Sequence, residues 1–260
     1  MLFFIILQQF VCCRFDNLTF KSKNPKYISC NLYIGRTINS ESCETISYTP
    51  PQTDNYPAYV FNVNFQMTIR FSKSTFRNFD VDCEDYPSLI TISGSTSSAT
   101  LNVESCIFNN NIMNNRNNEY NNFGLFYMNG KHSIQFNNST FSNNQGYLGS
   151  IIGGTCNDFS LTNCYITSNT ANNFYGQIYL RKCDLAENSK IYLFNVSFIN
   201  NQVGAFAKVA NCFYLTNFPI LNITQCTFSA KESDSQGLAV LKSTESSVVS
   251  FQDCCFYYSF

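Results

Sequence analysis

Few residues in this chain have the type and spacing to do chemistry. The densest acidic run is Asp80, Asp82, Glu84 and Asp85. Side chains alternate along an extended chain, so Asp80, Asp82 and Glu84 would share one face if this stretch were extended. Carboxylates so placed could hold Ca²⁺ or act as an acid/base pair. The competing expectation is a solvated loop, FDVDCEDYP, following the motif at Phe76. The single histidine, His132 in GKHS, has no Ser or Cys partner in a recognisable motif and is expected at the surface. There is no phosphate-binding loop, dinucleotide fingerprint or nucleophile elbow. No catalytic residue, resident metal or other cofactor is therefore assigned.

Cysteine is abundant, at 13 residues, but no C-x-x-C pair exists and histidine is single, so zinc-type spacing is absent. N-glycosylation sequons occur at Asn17, Asn137, Asn138, Asn195 and Asn222. Charged residues make up only 13% of the chain and the formal net charge is −1. Nucleic acid and anionic membrane both demand a basic face, so neither is an expected partner. No apolar run is long enough for a membrane-spanning helix.

What positions these residues is a repeat. Its type stretch is Leu101–Asn111, LNVESCIFNNN. An apolar anchor has apolar residues seven and five places before it and a small or apolar residue two before it. Asn often follows. The anchors are Phe76, Phe108, Phe141, Ile166, Phe198, Phe228 and Phe256, spaced 25–33 residues apart. The period-two alternation before each anchor indicates a strand. Two residues then intervene where strict alternation allows one, so the chain must bend. Asn17, Asn138, Asn163 and Asn195 stand three before their anchors, and Asn tolerates the left-handed conformation of a tight bend.

A second strand-like segment precedes each motif: SLITISG from Ser88, GLFYMNG from Gly124, GSIIGGT from Gly149, GQIYLRK from Gly176, GAFAKVA from Gly204 and GLAVLKS from Gly237. Three short strands per turn, with no helical periodicity, predict an all-β fold: a right-handed parallel β-helix of seven to nine turns. Stacked turns would place Phe over Phe in the core and Asn over Asn at the bend.

The same stacking gives the cysteines two readings. Cys106, Cys164, Cys226 and Cys254 share the inward place two before the anchor. Cys156, Cys183 and Cys212 follow their glycines at similar distances and form a second column. They are either small buried apolar residues or inter-turn disulfides, since one turn spacing lies within the allowed Cα range. The candidate bridges are Cys226–Cys254 and Cys156–Cys183 or Cys183–Cys212.

Residues 1–13, MLFFIILQQFVCC, are an apolar start that reads as a signal peptide, although Cys13, Phe15, Leu18 and Phe20 also fit the repeat rule. The solenoid domain is expected over 14–260, with regular repeats over 67–260 and one degenerate turn between Phe20 and Phe76. The Asn-rich tract 109–122 is expected to be a surface loop. The closing CCFYYSF carries no polar cap, which suggests a piece of something longer or a last turn that docks on another subunit.

FNNN (Phe108–Asn111), FSNN (Phe141–Asn144) and FINN (Phe198–Asn201), with the variant ITSN (Ile166–Asn169), resemble the FxxN motif of the polymorphic outer-membrane protein (Pmp) family. GSII from Gly149, GLFY from Gly124 and GLAV from Gly237 are similar to its GGAI motif. The pattern covers about 67–260. The resemblance implies a right-handed parallel β-helix of the pectin lyase-like superfamily, exposed at a cell surface and serving adhesion. No autotransporter barrel follows here, and the composition is closer to Asn-, Phe- and Tyr-rich protist relatives.

The expected function is a non-catalytic, secreted or cell-surface adhesion or coat module. Its expected partner is a host-cell or matrix protein or a glycan. The alternative is a carbohydrate-binding or polysaccharide-degrading β-helix. That would require clustered carboxylates and basic residues along one groove, whereas Arg70, Arg77, Lys131, Arg181, Lys208 and Lys231 are scattered one per loop. A decayed fragment of a larger gene is a third reading.

Overall fold

The computed structural model describes residues 13–16, 37–41, 59–62, 67–73, 75–77, 80–83, 88–94, 98–115, 124–172, 176–183, 189–203, 212–218, 220–231, 241–244 and 248–259. Residues 1–12 of the expected signal peptide, Asn17, Glu84 and Asp85 lie outside these. Every described element is a strand and every pairing is parallel, with each strand bonded to its equivalents in the preceding and following coils. The fold is therefore a parallel β-solenoid, the expected class.

One coil shows how the sequence makes it. Ser133–Asn137 belongs to a long sheet of nine strands. After a bend, Thr140–Ser142 joins a seven-stranded anchor sheet. A second bend leads to Gln145–Gly146 in a five-stranded short sheet. Ile152–Cys156 then closes the coil in a seven-stranded return sheet. Three strands per turn were expected, and four are present. Seven to nine turns were also expected; among the described residues, five consecutive coils reach all four sheets, the number of strands in the short sheet.

Both bends rest on left-handed residues. The first lies three before each anchor, as the alternation demanded: Asn138, Asn163 and Asn195 have φ of 49°, 52° and 52°, and Lys73, Ser105, Gln225 and Asp253 fill the same place. The second lies two after the anchor, at Asn110, Asn143, Ser168 and Asn200, with φ of 53–54°. Left-handed backbone costs a non-glycine residue roughly 1–2 kcal/mol. Here the N–H of each bend residue before Asp253 is paired with the next coil: Asn138 N donates to Thr162 O (3.0 Å) and Asn143 N to Thr167 O (3.2 Å). The backbone ladder thus runs through the corners, and these bend N–H groups do not go unpaired.

The second bend explains two corrections. The Asn-rich tract was expected to be a surface loop from Asn109. Instead, Asn110 turns the chain, Asn111 is fully buried and Ile112–Asn115 is a strand of the short sheet. The acidic stretch was likewise expected to be a loop, yet Asp80–Cys83 is a strand paired with Ile112–Asn115. The expected return segment from Gly204, GAFAKVA, lies outside the described residues. The return strand of that coil is Phe213–Thr216, which aligns with Ile178–Arg181.

Inside the coils, inward positions of successive turns coincide. Phe76, Phe108 and Phe141 stack with ring centroids 4.8 and 5.0 Å apart and planes within 5°. Phe198, Phe228 and Phe256 continue the spine at 5.4 and 5.2 Å, with Ile166 between the two runs. Phe126 and Phe136 meet it edge-on, at 69° and 87°. Such pairs add about 0.5–1.5 kcal/mol each beyond the area they bury.

Beside the spine runs a ladder of buried amides, each three residues after its anchor. Asn111 Nδ2 donates to Asn144 Oδ1 (2.8 Å), Asn144 Nδ2 to Asn169 Oδ1 (3.0 Å) and Asn169 Nδ2 to Asn201 Oδ1 (3.0 Å). The same amide nitrogens donate back to Phe76, Phe108 and Phe141 carbonyls at 2.9–3.1 Å. Each Oδ1 also accepts the backbone N–H of the Asn below it. This is the physical meaning of Asn in FxxN: the buried amide bonds at once to the Asn one coil on and to the backbone of the adjacent coils.

Glycine has two distinct reasons to open the return segments. At Gly176, φ is 75°, a conformation that side chains rarely adopt. At Gly124, a Cβ would fall 1.9 Å from Gly149 O in the next coil, so there the requirement is close approach.

The amide ladder yields a prediction. Asn144→Ala strips the acceptor from Asn111 and one donor each from Phe108 O and Asn169 Oδ1. A cost of about 2–4 kcal/mol is expected in urea unfolding, since a buried group without its partner loses about 1–3 kcal/mol. Tyr165→Ala, which removes an exposed ring, should stay within about 0.5 kcal/mol. Equal effects would show that the ladder has no energetic role.

Candidate functional site

Asp80 and Asp82 sit in the short-sheet strand, while Glu84 and Asp85 lie outside the described residues. Among the described residues, no group of three His, Cys, Asp or Glu could hold a metal ion, and no helix is long and apolar enough to cross a membrane.

His132 is not at the surface. It is fully buried at the corner between the return and long sheets. Gly130 O accepts the His132 N–H (2.8 Å), making a tight corner that turns the ring inward. Nδ1 accepts the Ala99 N–H from the coil below (3.1 Å), and Nε2 faces Asn129 O at 3.2 Å. The ring is thus a neutral imidazole with its proton on Nε2. Burial lowers its pKa below the ordinary 6.5, partly offset by the Asn129 carbonyl.

Cys106, Cys156, Cys164, Cys183, Cys212, Cys226, Cys254 and Cys255 are free thiols, so the expected disulfides among them are not formed in this structure. The column two before the anchor has its own logic. Cys106, Cys164, Cys226 and Cys254 each direct the thiol at the carbonyl two residues back, at 3.3 Å. Ser139 does the same with its hydroxyl, at 2.8 Å. A small side chain with a donor therefore ties down the first bend. Burial pushes the Cys164 and Cys226 thiols up to about 11, and Cys156 and Cys212 higher still.

The second cysteine column holds two members, not three. Cys183 N donates to Cys156 O (2.9 Å), placing them on adjacent coils. Cys212 precedes the strand Phe213–Thr216, and its carbonyl accepts the N–H of Gln177 (3.1 Å) and of Ile178 (2.9 Å). It lies at the opposite end of the return strand from Cys183, so a Cys183–Cys212 bridge is excluded by register.

Four of the five sequon asparagines are described, and all four lie on the long sheet or its first bend. Asn138 and Asn195 are exposed bend residues, and Asn195 Nδ2 donates to Asn163 Oδ1 (2.8 Å). Asn222 is exposed in mid-strand, and Asn137 is half-buried at a strand end.

The feature that sequence reading missed is the outer face of the long sheet. Its outward positions form files along the solenoid axis: Arg70, Asn102, Gln135, Ser160, Tyr192, Asn222 and Ser250 in one, and Glu104 and Asn137 in the next. Arg70, Asn102, Glu104, Gln135 and Asn137 line a shallow depression of about 250 Å³. Arg70 Nη2 donates to Glu104 Oε2 across two coils at 2.5 Å. Both side chains are roughly two-fifths exposed (44% and 40%), so the pair adds little stability. Within this depression, Asn102 Oδ1 and Asn137 Oδ1 are shielded from solvent and accept no hydrogen bond from the protein. Farther along the file, Tyr192 and Phe194 present parallel rings 6.4 Å apart. The polar half of each alternating strand signalled an outward face; which residues become neighbours depends on loop lengths that only the folded register resolves.

The buried imidazole of His132 makes folding stability depend on pH. Because the folded-state pKa is depressed, the unfolded chain takes up the proton first. Stability from the neutral ring is complete above about pH 6.5 and is lost as pH falls below it. Urea midpoints measured from pH 7.5 to 5.0 should fall more steeply for the wild type than for His132→Gln. Parallel slopes would contradict the buried neutral imidazole.

Comparison with protein families, with curated proteins and with solved structures finds no match to this chain. The assignment to a parallel β-solenoid accordingly rests on the chain's own strand register.

Proposed function

We propose that this protein is a non-catalytic binding module, secreted or displayed at a cell surface, that serves adhesion or forms part of a surface coat. The observation that carries this reading is the outer face of the long sheet. There, a rigid parallel ladder holds a depression lined by Arg70, Asn102, Glu104, Gln135 and Asn137, whose guanidinium, carboxylate and carboxamide groups come from neighbouring coils. A site of donors and acceptors without a nucleophile or a paired general acid and base recognises rather than transforms. A polar surface ligand, a glycan or a matrix or host-cell protein, fits that chemistry. The repeat resemblance supports the same direction, as does the apolar start of the chain for a secretory route.

Two measurements test this together. Surface biotinylation of intact cells should label the protein, and an exclusively cytosolic signal would reject the localisation. A glycan and matrix-protein array with a turnover readout should give binding without product, weakened at least about tenfold by Gln135→Ala. Turnover would establish the carbohydrate-active alternative. Binding unchanged by Gln135→Ala would move recognition away from this face.

A further inference from the structure

We propose that Cys226 and Cys254 are a redox-active pair, which exchange with an oxidised small-molecule disulfide closes into an inter-coil bond clamping the Phe256 coil onto the coil below. The inward column two before the anchor reads Cys106, Ser139, Cys164, Val196, Cys226 and Cys254 in successive coils. Only at its end do two cysteines fall on consecutive turns. The pairing of Thr227 with Cys255 sets Cys226 opposite Cys254, and Cys255 N donates to Cys226 O at 2.9 Å. The Cys254 sulfur also contacts Ile223 O of the coil below, at 3.6 Å, so it leans toward its partner's turn. Burial first, and then the nearby Cys254 sulfur, push the Cys226 thiol up.

Access separates this pair from the other adjacent one. Cys156 and Cys183 are both buried, whereas Cys254 is half-buried beside the partly exposed Phe251 and Phe256. An oxidant can therefore reach Cys254. One coil spacing of about 4.8 Å lies within the Cα range for a disulfide, but the Cβ atoms must close to about 3.8 Å. The bond therefore draws the two coils together locally.

The exchange balances with oxidised glutathione as the oxidant. The Cys254 thiolate attacks one glutathione sulfur, forming a mixed disulfide and releasing one glutathione thiolate. The Cys226 thiolate then attacks the Cys254 sulfur and expels the second. Two protein thiols become one disulfide, one glutathione disulfide becomes two glutathione thiols, and the two protons pass to the leaving thiolates.

The test uses the full chain, incubated with oxidised glutathione at pH 8.5, alkylated and mapped without reduction. The expected product is a peptide linking Cys226 to Cys254, with alkylation of both reduced more than tenfold. Hydrogen exchange over 248–259 should slow on oxidation. Cys226→Ser should leave one glutathione on Cys254, since nothing remains to displace it. The wild-type map stands alone if that variant does not fold. A Cys254–Cys255 link, modification confined to the exposed Cys255, or Cys254 joined to any other cysteine would overturn the proposal.

Discussion

The structure depends on one constraint: the backbone hydrogen-bond ladder between coils continues through both corners. The bend residues are left-handed, yet from Lys73 to Gln225 they donate their N–H groups to the next coil as strand residues would. Because the ladder is unbroken from the long sheet through the bend into the anchor sheet, register cannot slip in one sheet without slipping in the other. A one-residue slip would also turn every inward side chain outward. Like is therefore placed on like, and the columns of Phe, Asn and Cys are consequences of the backbone more than separate devices.

Those columns divide the energetic work. The Phe spine removes apolar area from water and tolerates Ile166 in one turn, since dispersion and burial do not require an aromatic ring. The amide ladder tolerates much less. A buried amide is acceptable only if all its groups are paired, and here the partner of each Asn is another Asn one coil away. The outer faces carry no such restriction. Arg70, Gln135, Tyr192 and Asn222 occupy one file and differ in charge, polarity and size. A solenoid of this kind can keep its interior fixed while its exterior diverges, which suits a recognition scaffold.

How much of this was legible in the sequence follows from range. The first bend was visible because it is local: two residues where alternation allows one, with Asn138, Asn163 and Asn195 to accept the conformation. Phe over Phe followed from the repeat. Asn111 and its equivalents were seen as residues that often follow the anchor, but their burial and the fourth strand were not. In an Asn-rich tract, composition argued for a loop and concealed a single position that must be Asn. His132 misled for a related reason. A lone polar residue in GKHS looks solvated until the coil below presents the Ala99 N–H to it. The depression on the long sheet was the least legible feature, because Arg70 and Glu104, or Asn102 and Gln135, meet only through coil-to-coil register.

The central claim is that coils stack in this register, and distances along one outward file test it most directly. Arg70, Asn102, Gln135, Ser160, Tyr192, Asn222 and Ser250 are successive neighbours. Spin labels attached through bioorthogonal side chains at Arg70 paired with Tyr192, Asn222 or Ser250 span four, five and six coils of that file. Pulsed electron–electron resonance should return backbone separations of about 19, 24 and 29 Å, a rise of about 4.8 Å for each added coil. Distances that do not increase by one uniform step per coil would contradict the stacked register and everything built on it.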